Sequence, residues 1–178
     1  MNRLNKEQWL DHGLRTLASA GPTALKADRL AKSLGVSRGS FYWHFTNLAD
    51  FHSGVLRRWQ QLTVEAAVDQ LEITVADATA RLKALISLAA QDKLALEHAI
   101  RVWADSKPEV KQAVEAVDAQ RLAYLETVFA EMGLSSERAY ARARVVYYAF
   151  LGQMVIAEVI SAENKTKLTR ELIHLATI

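Results

Sequence analysis

The chain has 178 residues, 51% of them apolar, with no Cys, two Pro and seven Gly, enough for one or two small domains with a hydrophobic core. The lack of Cys removes disulfide scaffolds, thiolate nucleophiles and cysteine-ligated metals, and no stretch is long and uncharged enough for a spanning helix or a signal-peptide core. The formal charge of +2 is unevenly spread: residues 1–60 carry a net +5 and residues 61–178 a net −3, which points to a polyanion partner at one end.

Few Pro, many Ala and Leu, and no sustained β-branched alternation predict helices almost throughout. Asn5 is placed to cap a first helix with Trp9, Leu10, Leu14 and Leu17 at three- and four-residue spacing, ended by Ala20-Gly21-Pro22. A short helix follows from about Lys26 to Leu34 and is broken by Gly35. Ser37 is expected to cap a second short helix to about His44. Thr46 or Asn47 then caps a long fourth helix, about 47–71. Beyond Ala76 the predicted spans are Asp77–Ala90, Lys93–Ala104, Pro108–Met132, Ser136–Ile160 and Asn164–Ala176. Pro108 suits a first turn, Gly133 a C-cap, Ser135 or Ser136 an N-cap, and Asn164 a further cap.

The stretch from Leu25 to Phe51, LKADRLAKSLGVSRGSFYWHFTNLADF, reads as helix, turn and short helix, the helix-turn-helix arrangement that presents its second helix to a DNA major groove. A helix of about two turns is unstable alone, so Leu30, Leu34, Val36, Phe41 and Phe45 are expected to lock it onto its neighbours. Its other residues carry the chemistry. Arg38 can reach a phosphate or a guanine edge, the Ser37 and Ser40 hydroxyls can meet phosphate oxygens, and Gly39 lets DNA approach closely. Tyr42 offers a phenol, Trp43 a surface for sugars or thymine methyls or for packing on the first helix, and His44 a further phosphate contact.

Within that stretch, GVSRGSFYWHFTNLADF resembles the signature of the TetR/AcrR family of bacterial transcriptional regulators, which reads G-V-S-x-G-x-[LF]-Y-x-[HY]-F followed by a polar pair and an acidic-plus-apolar start of the fourth helix. The resemblance runs from Trp9–Gly21 as the first helix to about residue 70. It implies an all-α fold: a helix-turn-helix DNA-binding domain over residues 1–50, joined by the fourth helix to a helical regulatory, ligand-binding and dimerisation domain over 51–178. It implies a cytoplasmic homodimer that binds a palindromic operator in double-stranded DNA and represses transcription until a small-molecule effector enters the second domain. Ser37, Arg38, Gly39, Ser40, Tyr42, Trp43 and His44 fall where the family's DNA-contacting helix lies. Departures from the pattern are Lys26, where Thr is common, a candidate DNA-binding cation that can meet a phosphate but cannot cap, so that the second helix is expected to start at Ala27; Leu48, where Lys or Arg is usual; and Asp28, a negative charge on the backbone-facing helix. Arg29, Lys32, Arg57 and Arg58 are candidates to compensate.

The second domain carries no motif. By resemblance its last two helices form the dimer, and VVYYAFLGQMVIAEVI, apolar around nearly its whole circumference, fits a helix buried on several sides. Tyr148, Leu151, Val155, Val159, Leu168, Leu172 and Leu175 are the candidate interface. Trp103, Tyr124, Tyr147 and Phe150 are candidate walls of an effector cavity, with His98, Arg121 and Gln153 as candidate polar contacts. Core packing, or pairing of Arg121 with Asp118 or Glu115, is the competing reading. Five scattered His and no Gly-rich phosphate loop give no metal, cofactor or catalytic motif. An activator or constitutive regulator without an inducing ligand, or an all-helical interaction protein with weakened DNA binding, are the alternatives.

Overall fold

Residues 4–65, 75–90, 94–156 and 161–178 are described by a computed structural model of the chain. Among these residues there is no strand, and nine α-helices follow one another: α1 Lys6–Ala20, α2 Ala27–Ser33, α3 Arg38–His44, α4 Leu48–Gln60, α5 Ala78–Ala89, α6 Leu94–Ala104, α7 Pro108–Glu131, α8 Ser136–Val155 and α9 Ala162–Thr177. They pack as two compact units. One comprises Met1–Thr63 with Ala95–Glu115, the other Val64–Leu94 with Ala116–Ile178.

Local chemistry sets most boundaries. The Asn5 side chain accepts from the Gln8 N–H and the Gln8 side chain accepts from the Asn5 N–H, both at 2.8 Å, a capping box that satisfies two otherwise orphaned donors. A short 3₁₀ turn, Pro22–Ala24, follows α1 and was not expected from the sequence. Helix α2 starts at Ala27 as the Lys26 departure implied, with no side-chain cap. It ends in a Schellman motif: the Val36 N–H reaches the Ala31 carbonyl and the Gly35 N–H reaches that of Lys32. Gly35 holds φ +66°, which an L side chain adopts only with strain.

Three expectations need correction and one, the fourth helix, is followed only as far as the described residues go. Ser37 occupies the N-cap position of α3, but its side chain makes no capping hydrogen bond. Asn47 caps α4 by accepting from the Asp50 N–H, yet the regular helix stops at Gln60 and continues as π-helix over Gln61–Glu65; the remainder of the expected span to 71 lies outside the described residues. Helix α8 ends at Val155, with Ile156 already extended, so the expected run to Ile160 is too long. The last helix is capped by Ser161, whose side chain accepts from the Asn164 N–H; Asn164 is therefore an inner residue of the first turn.

The first unit is built on an aromatic nest. Trp9, Phe41, Phe45 and Phe51 are all buried. Phe41 lies 5.5 Å from Trp9, 5.1 Å from Phe45 and 5.3 Å from Phe51, centroid to centroid. Such pairs are worth ~0.5–1.5 kcal/mol each beyond the burial of their area, which stabilises an α3 too short to stand alone. Helices α1 and α4 touch closely: a Cβ placed on Gly13 would lie 2.7 Å from Phe51 Cζ, and one on Gly54 2.8 Å from Leu10 Cδ2. The second unit has its own core of Leu82, Ile86, Leu125, Val128, Phe129 and Val146, closed by Tyr147 and Ala176. Arg81 and Glu131 form an ion pair beside it.

Candidate nucleic-acid interface

Helix α3 divides sharply between its two sides. Phe41, and Phe45 just after it, sink into the aromatic nest, while Ser37, Arg38, Gly39, Tyr42 and Trp43 are exposed and Ser40 is half-buried. Trp43 is 68% exposed and Tyr42 46%. The packing that fixes the helix therefore leaves the polar and planar side chains of its outer face presented together.

Arg38 is the most structured of these groups. Its Nε lies 3.2 Å from Asp28 Oδ1 on α2, and its Nη2 donates to the Tyr42 hydroxyl at 3.1 Å. The guanidinium carbon stands 5.4 Å from the Tyr42 ring centroid. The hydrogen bond it donates to Tyr42, and then the Asp28 charge, raise its pKa further above its already high value. Asp28, read from sequence as a bare negative charge, is thus paired with the cation on the facing helix. That pairing of residues ten apart had no signature in either helix taken singly.

His44 has a second role that sequence reasoning missed. Its ring is half-buried, and its Nε2 is 2.8 Å from the Leu4 carbonyl, to which it donates. The end of α3 is thereby tied to the segment before α1. Lys26, Arg29, Lys32 and Arg57 are exposed. Arg58 is already paired: its Nε donates to Asp11 at 2.9 Å, with Glu7 at 3.8 Å, a pairing that competes with the phosphate contact expected of it.

Two contacts tie α4 within the same unit. The His52 Nε2 donates to the Leu25 carbonyl at 3.1 Å, and its ring meets Trp103 edge-on at 5.1 Å. Burial lowers the His52 pKa, with Lys107 adding to the effect. The Trp59 indole N–H donates to the buried Glu97 carboxylate at 3.0 Å. Glu97 lies on the inner side of an otherwise amphipathic helix, and its sequence neighbours gave no sign of it.

The candidate effector residues are divided between the units. Trp103 is buried against His52 and His98 is exposed, both in the first unit. In the second unit Arg121, Tyr147 and Phe150 come together. The buried Tyr147 hydroxyl donates to Asp118 Oδ1 at 2.6 Å and accepts from Arg121 Nη1 at 3.4 Å. Arg121 also stands 5.6 Å from the Phe150 ring centroid. Burial pushes the Tyr147 phenol up to about 12, so it stays protonated as a donor. Tyr124 packs partly buried against the same core, and Gln153 is exposed. An open groove of about 480 Å³ on this unit, lined by Ser87, Ala90, Lys165, Thr166, Thr169 and Arg170 among others, includes none of the candidates.

Of the candidate interface residues, Tyr148, Val155, Leu168 and Leu175 are exposed, whereas Leu151 and Leu172 are partly buried against the second core. Val159 lies outside the described residues. Tyr140 and Val145 on α8 add to the exposed apolar surface. Among the described residues no helix is long and apolar enough to cross a membrane, and no three His, Asp or Glu side chains gather as metal ligands would.

Residues 10–50 match the family described as bacterial regulatory proteins, tetR family. A comparison with curated proteins finds no match. Among solved structures, one from Rhodococcus sp., described as a TetR-family transcriptional regulator, aligns with TM-score 0.74 at 16% identity over 97% of this chain and 98% of that one. One from Saccharomonospora viridis, described as a transcriptional regulator in complex with choline, gives 0.76 at 17% identity over 95% of each chain. The transcriptional regulator FadR from Bacillus subtilis, in complex with stearoyl-CoA, gives 0.70 at 17% identity over 97% and 98%. The chain is thus TetR-like by sequence in its N-terminal segment and by fold over nearly its whole length.

Proposed function

We propose that this chain, with its TetR-type segment at residues 10–50, is a homodimeric transcriptional repressor that binds a palindromic operator and is released by a small-molecule effector. Residues 1–50 act on DNA and residues 51–178 regulate. The observation that carries the reading is the two-sidedness of α3: aromatic side chains anchor it from beneath while Arg38, Tyr42 and Trp43 stand exposed together on its outer face. Anchored packing on one side with donors on the other is what a major-groove helix requires. A single short helix reads few base pairs, so two copies reading half-sites about one turn apart give the specificity that one lacks.

The exposed apolar side chains of α8 and α9, Tyr148, Val155, Leu168 and Leu175, support pairing with a second copy. The Asp118–Tyr147–Arg121–Phe150 cluster supports an effector site, since a few oriented polar groups beside aromatic walls suit a small ligand. The choline and stearoyl-CoA complexes of two similarly folded proteins support a small-molecule effector without choosing its chemistry. Effector and operator then oppose each other by one coupling free energy, each weakening the other's binding by the same factor.

Selection of bound duplexes from a random DNA library, followed by titration at stated salt, tests the reading. An enriched inverted repeat bound by two chains is the expected result. A folded, dimeric protein that enriches no sequence over random DNA would favour the interaction-protein reading, for which Leu48 and Asp28 are the sequence support.

A further inference from the structure

We propose that Asp28 is a positioning residue that aims Arg38 at a guanine edge and restrains its pairing with phosphate, so that it sets the ratio of sequence-specific to non-specific DNA binding. The inference rests on the reading of α3 as the DNA-contacting helix. Asp28 sits in the first turn of α2 and Arg38 is the first residue of α3. Two helices separated by a Gly35 turn therefore fix the two ends of one ion pair, with Nε 3.2 Å from Oδ1. Tyr42, one helical turn beyond Arg38, receives an Nη2 hydrogen at 3.1 Å.

A guanidinium held at Nε and at one Nη2 hydrogen keeps both Nη1 hydrogens and the other on Nη2 for an outside acceptor. Guanine O6 and N7 are an acceptor pair that Arg meets with two donors. A phosphate would do as well for a freely rotating Arg, because charge alone attracts it. Asp28 changes that balance in two ways. Its carboxylate already neutralises part of the Arg38 charge, and it is itself exposed and negative, so it repels a phosphate approaching the same spot. Base recognition depends on geometry and keeps the benefit of a fixed side chain, whereas non-specific attraction depends on net charge and loses.

The test uses the intact wild-type protein, Asp28→Asn and Asp28→Glu. Each is titrated by fluorescence anisotropy over a range of salt with two duplexes: the one that wild-type protein enriches from a random library, and a scrambled duplex of equal length. Circular dichroism confirms that each variant is folded. The expected result for Asp28→Asn is a specific-to-non-specific ratio lowered about tenfold, through tighter binding of the scrambled duplex and a salt slope steeper by about one for each subunit bound. Repeating the selection with this variant should weaken the preference for one G·C pair in each half-site, and Asp28→Glu should restore most of the ratio. An unchanged ratio, or an equal loss on both duplexes, would overturn the proposal while leaving the DNA-binding reading intact. A wild-type protein that enriches no duplex would overturn that reading itself, and the role of Asp28 with it.

Discussion

Gly13 shows how little space one residue has in the first unit. A methyl group there would press into Phe51 Cζ at 2.7 Å and Val55 Cγ2 at 2.9 Å. Phe51 is fully buried and wedged against Phe41 and Phe45, so it has no easy way to yield. Gly13→Ala is expected to destabilise the protein by ~1–3 kcal/mol, seen as a lower urea midpoint with unchanged slope. Gly54→Ala should cost less, because the atom it meets is the end of the half-buried and flexible Leu10 side chain. A second residue-scale consequence concerns pH. His52 is held neutral by burial below its ordinary pKa of 6.5. Its contribution to stability is therefore complete above 6.5 and is lost as pH falls from there through the lowered folded-state value. His12, lowered by burial and by Arg15, acts with the same sign. His52→Gln keeps an N–H for the Leu25 carbonyl but does not titrate. Its urea midpoint should drop less than that of the wild type between about pH 7.5 and about pH 5.5; an equal drop would remove His52 as a source of the acid sensitivity.

At the scale of elements, what the sequence revealed depended on whether a boundary is decided locally. Asn5, Gly35, Asn47 and Ser135 each mark a helix end through their own side chain or backbone, and each stands at the predicted place, while Asp77, expected as a first helical residue, is the cap one position before it. The end of α8 is different. Val155 and Ile156 continue an apolar run in which no Gly or Pro follows Gly152, so nothing in the sequence separates the last helical residue from the first extended one. Ser161 and Asn164 are both able to cap α9. Ser161 does so by accepting the Asn164 N–H, whereas the sequence reading places the cap at Asn164 itself. The outward face of α3 was legible because Phe41 and Phe45 had to be core. The Asp28–Arg38 and His44–Leu4 contacts were not, since each joins residues brought together only by the packing of α2, α3 and the start of α1.

At the scale of the whole molecule, Tyr148, Val155, Leu168 and Leu175 of α8 and α9 are exposed and, among the described residues, lie outside the second core. If two copies associate there, charge at the centre of the patch should prevent it. Tyr148→Glu combined with Val155→Glu is expected to shift the protein from dimer to monomer in sedimentation equilibrium while helicity persists. Loss of the dimer should also weaken binding of the enriched duplex by more than about tenfold, because each chain then reads one half-site alone. A dimer that survives both charges would place the interface elsewhere on the molecule. The Leu151 and Leu172 positions make poorer tests, since both also pack against the subunit's own core.

The central claim is that the outer face of α3 reads DNA, and the most direct measurement is the affinity of Arg38→Ala/Tyr42→Ala for the enriched duplex, beside its melting temperature and its sedimentation. Both side chains are exposed, so folding and self-association should persist. The expected result is a loss of affinity of at least about tenfold at fixed salt, with the preference over scrambled DNA largely gone. Unaltered affinity and preference in a folded double variant would contradict the assignment of α3 as the recognition helix.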